Sequence, residues 1–217
     1  MENEYNGELK MNKYEVSIQK QRFFALCGII APILFIILVI IESFLRPGYS
    51  QIYNFVSDLG VGPNAVLQNI NFAIFGILSI FFAFGLRSGL PYPPRKALKA
   101  GVWLVAIFGL CILLAGVFPE DYLSQVPHNL VSATAFVTII AAQLLIWRGL
   151  KNAEDSIWGK YRIYSLISGL LSLILVLVLK VVMSDFSDYQ GIAQRAFLAV
   201  PWIWVEVTAL KLYFLIK

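Results

Sequence analysis

Six long apolar runs constrain the fold of this chain more than any other feature. They cover residues 23–45, 65–86, 100–118, 129–147, 163–183 and 196–216. Each is about 20 residues long, the length that an α-helix needs to cross a hydrocarbon layer of about 30 Å. The runs lack the alternating pattern of barrel strands, and lipid excludes unpaired backbone polar groups. The sequence therefore predicts an all-α bundle of six transmembrane helices.

The composition agrees with this architecture. The chain is 59% hydrophobic and 14% charged, with a mean hydropathy of +0.76, whereas a soluble domain carries about 25% charged residues. The spans leave no room for a separate soluble domain, so residues 23–217 are predicted to form the membrane domain. Residues 1–22 are polar and are expected to form a loose tail or a short interfacial helix. The apolar run that follows is too long for a signal peptide.

The basic residues predict the orientation. Of the 17 Lys and Arg residues, only Arg46, Lys180 and Arg195 fall outside the tail, the alternate gaps and the chain end. Because positive residues stay on the cytoplasmic side, we predict a multi-pass cell-membrane protein with both termini inside. Connections one, three and five then lie outside. The net charge of +4 follows from this bias; it favours membrane lipids as partners, gives no reason to expect nucleic acid, and leaves a homo-oligomer open.

The first connection, residues 46–64, is called loop 1. It is predicted to hold a short amphipathic helix within residues 51–59, because its apolar residues recur at helical spacing between Ile52 and Leu59. Asp58 would lie at the negative end of that helix, which is unfavourable unless a cation is close. We therefore expect an ion pair between Asp58 and either Arg46 or Arg195.

Several short motifs cluster in the predicted outer connections. They are RPGYS at 46–50, VSDLGVGPNA at 56–65, FPED at 118–121, HN at 128–129, and GIAQR at 191–195 followed by Trp202. Together they resemble the family called domain of unknown function 998, six-helix membrane proteins of bacteria and archaea, over roughly residues 23–216. The SDLG and FP…H patterns are also distantly similar to the FRAG/DRAM/SFK membrane proteins of eukaryotes, which are implicated in lipid organisation and autophagy. The resemblance implies the fold and an outward site, and it brings no established reaction.

Side chains capable of chemistry concentrate at the predicted outer level. An outward-facing polar pocket is therefore the predicted site. Its predicted residues are Arg46, Ser57, Asp58, Asn64, Asp121, His128, Arg195, Trp202 and Glu206. Some also suit structural roles: Asn64 fits an N-cap of the second span as well as a ligand contact.

Glu206 is the most unusual of these residues, because it lies near the predicted bilayer centre. A carboxylate there costs about 2.5–3.5 kcal/mol on insertion scales. We expect its side chain to point into the bundle and to be paired or protonated, with Gln143 or Asn71 as a polar neighbour. A structural role and a functional role fit this position equally well.

Three functions remain open from the sequence. The first is binding or moving a lipid-like molecule through the outer pocket. The second is an intramembrane hydrolase or transferase, with His128 as general base assisted by Asp58, Glu120 or Asp121. The third is a proton-coupled transporter that uses Glu206. One His and two distant Cys residues predict no metal site, no disulfide and no cofactor.

Overall fold

Six long α-helices make up almost all of the structure. This computed structural model describes residues 2–91, 95–121, 123, 125–151 and 157–215, and for residues 2–16 only the backbone. The helices are α1 (Glu2–Leu45), α2 (Ala65–Gly89), α3 (Lys96–Val117), α4 (Gln125–Gly149), α5 (Gly159–Asp185) and α6 (Gln190–Leu215). Short 3₁₀ helices occupy Ser57–Gly60 and Ser187–Tyr189, and no strand occurs in the described ranges. Each of the 6 long helices is long and apolar enough to span a membrane, which confirms the predicted fold class.

The helix ends differ from the predicted spans mainly at their starts. α1 begins at Glu2, so residues 2–22 continue the first helix and do not form a loose tail. These residues include several good helix formers, and an anchored span removes the cost of nucleating a new helix. α4 begins at Gln125 and α6 at Gln190, so His128 and Arg195 both lie inside helices, close to their N-terminal ends.

The helices form a closed ring in chain order. Each packs against its neighbours in sequence, and α6 closes the ring against α1. Large aromatic side chains such as Phe35, Phe75, Phe82 and Trp204 are fully buried inside it. Apolar side chains on the outer surface of all six helices remain exposed, as expected for a surface that faces lipid. Loop 1, the α3–α4 turn and the α5–α6 turn share one end of the ring, which we call the loop-1 end.

Glycines bring α2 and α3 unusually close together. A Cβ added to Gly76 would lie 2.5 Å from the carbonyl oxygen of Gly109, and one added to Gly109 would lie 2.7 Å from that of Gly76. Two turns further along α3, a Cβ added to Gly116 would lie 2.4 Å from the carbonyl oxygen of Asn69 on α2. Small residues at such crossings allow close backbone approach in membranes. This contact fixes the wall of the bundle beneath loop 1.

The predicted orientation can be tested with single cysteines. Lys96 and Asp188 are exposed at opposite ends of the bundle, and both native cysteines can be replaced by alanine first. We expect a membrane-impermeant maleimide to label Asp188→Cys in intact cells, because the loop-1 end is predicted to be outside. Lys96→Cys should react only after the membrane is permeabilised. The reverse labelling pattern would show the opposite orientation.

Candidate functional site

Loop 1 packs on the bundle, but its helix is shorter than predicted and lies later in the chain. Residues 51–54 form a turn, and only Ser57–Gly60 are helical, as a single 3₁₀ turn. Ile52 is 44% exposed, whereas Val56 and Leu59 are buried. The predicted helix over 51–59 does not form because polar side chains bind the local backbone instead. The Asn54 side chain accepts a hydrogen bond from the Ser50 N–H at 2.9 Å.

Asp58 stabilises this turn and does not form the predicted ion pair. Its carboxylate accepts hydrogen bonds from the Phe55 N–H at 2.9 Å and from the Asn54 amide at 3.2 Å. No ion pair joins it to Arg46 or Arg195 in the part of the chain that the structure describes. Asp58 lies in the first turn of the 3₁₀ helix, where a negative charge is favourable. The expected conflict with the helix dipole is therefore absent.

Arg46 binds main-chain oxygens in the C-terminal half of loop 1. Its guanidinium donates to the carbonyl oxygen of Asp58 at 3.1 Å and to that of Val61. It also lies against Gly62, whose φ of +79° suits glycine. One turn before it, Glu42 is only 2% exposed, and its Oε1 has no hydrogen-bond partner among the described residues.

Arg195 binds the N-terminal half of loop 1 in the same way. Its Nη1 donates to the carbonyl oxygens of Asn54 at 2.8 Å, Gln51 at 2.9 Å and Gly191 at 3.0 Å. Its Nη2 donates to the Tyr49 hydroxyl at 2.5 Å. Arg195 was expected to contact loop 1 through the Asp58 carboxylate, but its acceptors are backbone carbonyls and the Tyr49 phenol.

Tyr49 completes this contact. Its ring lies 5.7 Å below the Arg195 guanidinium carbon, which is within range of a cation–π interaction. Its hydroxyl donates to the carbonyl oxygen of Phe55 at 2.8 Å. Burial raises the pKa of the Tyr49 hydroxyl, although the nearby Arg195 charge opposes this change. The phenol therefore keeps the proton that it donates to Phe55.

The start of α6 is shaped to receive the loop-1 backbone. A Cβ at Gly191 would lie 2.4 Å from the carbonyl oxygen of Asn54, so only glycine fits there. The side chain of Gln194 accepts a hydrogen bond from the Val56 N–H at 2.7 Å. We call Tyr49, Gly191, Gln194 and Arg195 the loop-1 latch. Sequence reasoning assigned a role only to Arg195, although the GIAQR motif contains three of the four residues.

A small cavity, called here the aromatic pocket, lies beneath loop 1 inside the ring. Its volume is about 190 Å³. Six aromatic side chains line it, together with aliphatic and a few polar residues. The aromatic residues are Phe35, Phe55, Phe72, Phe75, Phe136 and Trp202, and the polar ones are Ser57, Glu120, His128, Asn129, Ser132 and Gln194. A pocket thus lies at the level of loop 1, and its walls are mainly apolar. That this end faces outward stays a prediction.

His128 and Glu120 form the polar corner of the aromatic pocket. His128 is 4% exposed, and its Nδ1 lies 2.7 Å from the carbonyl oxygen of Phe118. Because a carbonyl only accepts, Nδ1 carries the proton. The other ring nitrogen, Nε2, lies 3.9 Å from the Glu120 carboxylate. Of the three acids that were predicted to assist His128, Glu120 is the one within ion-pair distance among the described residues.

A second cavity runs between α1 and α6 on the flank of the bundle. We call it the lateral groove; its volume is about 480 Å³. Its walls are mainly aliphatic, with Arg195 and Gln51 at the loop-1 end and Glu206 deeper in the membrane layer. The lining residues are Pro32, Ile33, Ile36, Val39, Ile40, Gln51, Val56, Arg195, Ala199, Trp202, Ile203 and Glu206. Trp202 and Val56 line both cavities.

Comparison with known proteins identifies the family of this chain. A family model described as protein of unknown function (DUF998) matches residues 29–211. The chain belongs to this family. No curated protein and no solved structure matches it significantly. The resemblance to the DUF998 family is therefore confirmed, and the site of this DUF998 protein has to be interpreted from its own geometry.

The predicted site residues of this DUF998 protein fall into three groups. The first group lines the two cavities. Ser57 and His128 line the aromatic pocket, Arg195 and Glu206 line the lateral groove, and Trp202 lines both.

The second group, Arg46 and Asp58, holds loop 1 in place. Asn64 and Asp121 form the third group, because neither lines a cavity described above. Asn64 takes the N-cap position of α2 with a left-handed backbone and no side-chain capping bond. Asp121 accepts the Leu123 N–H at 3.1 Å.

Glu206 is half-buried and lines the lateral groove between α1 and α6. The expectation that its side chain points into the bundle stays a prediction. Its Oε2 has no hydrogen-bond partner among the described residues. Of the two polar neighbours that were predicted for it, Asn71 donates to the Phe35 carbonyl oxygen at 3.2 Å. The side-chain amide of Gln143 has no hydrogen-bond partner among the described residues. No group of three or more potential metal ligands occurs in the described ranges.

Proposed function

We propose that this DUF998 protein binds a lipid-like molecule, with its apolar chain in the lateral groove and its polar group at the loop-1 end. The observation that carries the proposal is the groove itself: a cavity of about 480 Å³ with aliphatic walls and an arginine at one end. An elongated apolar site with few polar groups suits an amphipathic ligand.

The open side of the groove suggests that the ligand enters from the membrane. Ile33, Ile36 and Ile40 on α1 and Ile203 on α6 line the groove and are each more than 40% exposed on the flank of the bundle. This flank would face hydrocarbon in a bilayer. A chain in the groove would therefore exchange with lipid without crossing water.

The charges at the two ends favour a defined ligand orientation. The Arg195 guanidinium has no carboxylate partner among the described residues, so its positive charge is balanced only by the dipoles of its acceptors. Glu206 lies 11 residues further along α6, about 16 Å deeper at 1.5 Å per residue. A polar or anionic group near Arg195 and an apolar chain running toward Glu206 fit this distribution.

Filling the groove should remove the bound lipid. Ile36 lines the groove and is 42% exposed, whereas its neighbour Ile37 is 48% exposed and lies outside the lining. We expect native mass spectrometry of the purified wild type to show a lipid adduct. Ile36→Trp should reduce its occupancy at least fivefold, and Ile37→Trp should leave it within twofold of the wild type.

Thermal unfolding of both variants would confirm that each is folded. Equal lipid occupancy in the two folded tryptophan variants would contradict binding in the groove, as would a wild type that carries no lipid after gentle extraction.

A further inference from the structure

We infer that the aromatic pocket is a second binding site, which takes a small organic ammonium ion. The pocket is separate from the lateral groove apart from their shared walls, and the inference does not depend on a lipid in the groove. It stands on three features of the pocket: its aromatic walls, its single acid and the arrangement of acceptors at His128.

The walls offer several aromatic rings to an occupant. Phe35 is at the centre of the cluster, with ring centroids 4.8 Å from Trp202, 5.2 Å from Phe75 and 5.3 Å from Phe72. Phe136 contributes a further ring on the α4 side. Aromatic faces attract cations through the ring quadrupole, and the attraction is strongest where water is excluded. A pocket lined by such rings favours an organic cation over a neutral molecule of the same size.

The charge of the lining points the same way. Glu120 is the only acid among the described residues that line the pocket, and no lysine or arginine is among them. A cation would therefore meet one opposite charge and no like charge. Neither Arg46 nor Arg195 lines the pocket, and the guanidinium groups of both bind the loop-1 backbone.

His128 and Glu120 present two acceptors with no donor between them. The hydrogen bond to the Phe118 carbonyl oxygen places the proton on Nδ1, which leaves a lone pair on Nε2 in the neutral ring. The Glu120 carboxylate lies 3.9 Å from that nitrogen, too far for a direct hydrogen bond. An ammonium group with two N–H donors could bind both atoms at once.

The size of the pocket limits the ligand to a small ion. Its volume of about 190 Å³ is below the range of about 300–1,000 Å³ that is common for sites of drug-sized molecules. Glu120 and Asn129 are at least partly exposed at the rim. The ligand is therefore either a free alkylammonium ion or the ethanolamine head group of a lipid, since both carry the same ammonium chemistry.

Binding of n-butylammonium tests this inference. Wild-type protein in phosphatidylglycerol nanodiscs should bind n-butylammonium at least tenfold more tightly than n-butanol in equilibrium dialysis, because the two differ in charge but little in size. Butyltrimethylammonium keeps the charge and loses the N–H donors, so it should bind more weakly than n-butylammonium and more tightly than n-butanol.

Glu120→Gln should weaken n-butylammonium binding at least tenfold and leave n-butanol binding unchanged. Asp121→Asn is the matched control, because it removes a neighbouring acid that does not line the pocket; it should change binding less than twofold. Thermal unfolding would verify that both variants are folded.

Nanodiscs that contain phosphatidylethanolamine distinguish the two sources of the ligand. Loss of n-butylammonium binding in them would assign the site to the lipid head group, and unchanged binding would assign it to a free amine. Equal affinity for n-butylammonium and n-butanol would overturn the inference. Unchanged n-butylammonium binding in folded Glu120→Gln would overturn it as well.

Discussion

Replacing Gly109 with valine should destabilise the bundle by about 3 kcal/mol or more, because overpacking a tight contact costs about 1–3 kcal/mol and rigid surroundings raise the cost. The new Cβ alone would lie 2.7 Å from the Gly76 carbonyl oxygen and 3.0 Å from the Ile80 backbone nitrogen. These are atoms of the α2 backbone, which can only yield if the whole helix moves. Valine adds two further methyl groups to the same space.

The free energy of unfolding in a mild detergent, measured by denaturant titration, would give the effect of Gly109→Val. Ala100→Val is a suitable control, because Ala100 is exposed on the same helix and should change stability by about 0.5 kcal/mol or less. If the two variants proved equally stable, the close α2–α3 contact described above would be incorrect.

Arg195→Ala should have the second largest effect, a loss of about 2–4 kcal/mol together with release of loop 1. The guanidinium binds the Gln51 and Asn54 carbonyl oxygens and the Tyr49 hydroxyl. Hydrogen bonds to a charged group contribute about 1.5–3 kcal/mol, and acceptors left without a partner add a further cost. Arg195→Lys should recover little of this loss, because an ammonium cannot reproduce the spread of the guanidinium donors.

Limited proteolysis of loop 1, followed alongside thermal unfolding, would separate loop release from global destabilisation. Lys180→Ala provides the control, since Lys180 is an exposed cation near the same end of the bundle. A loop in Arg195→Ala that resisted protease as well as the Lys180→Ala variant would show that the latch does not depend on this arginine.

Much of the fold could be predicted from the sequence because membrane spans follow from length and apolar content alone. All six predicted runs match the observed helices, and the differences lie at helix ends such as Gln125 and Gln190. These ends are set by local hydrogen bonds and loop packing, which hydropathy does not report. The start of α1 differs for another reason: polar residues can continue a helix beyond the lipid.

The site was predicted less completely, because its polar groups bind the backbone. Arg195 was expected to form an ion pair with the Asp58 carboxylate, yet it binds carbonyl oxygens. Every residue has a carbonyl oxygen, so no sequence pattern identifies these acceptors. The Asp58 side chain was already used by the turn at Phe55. The position of Glu206 in the groove depends on which faces of α1 and α6 meet, and that cannot be deduced from the spacing within either helix alone.

Trp202 has a consequence that concerns both cavities. Its ring is part of the wall of the aromatic pocket and of the lateral groove, so an occupant that turns the ring in one cavity reshapes the other. Two ligands that share such a wall influence each other by a coupling free energy, and that energy is the same in both directions. Whatever a molecule on the membrane flank does to the affinity of the inner pocket, a molecule in the inner pocket must do equally to the flank. If both cavities bind ligands, this single indole ring links the two sites.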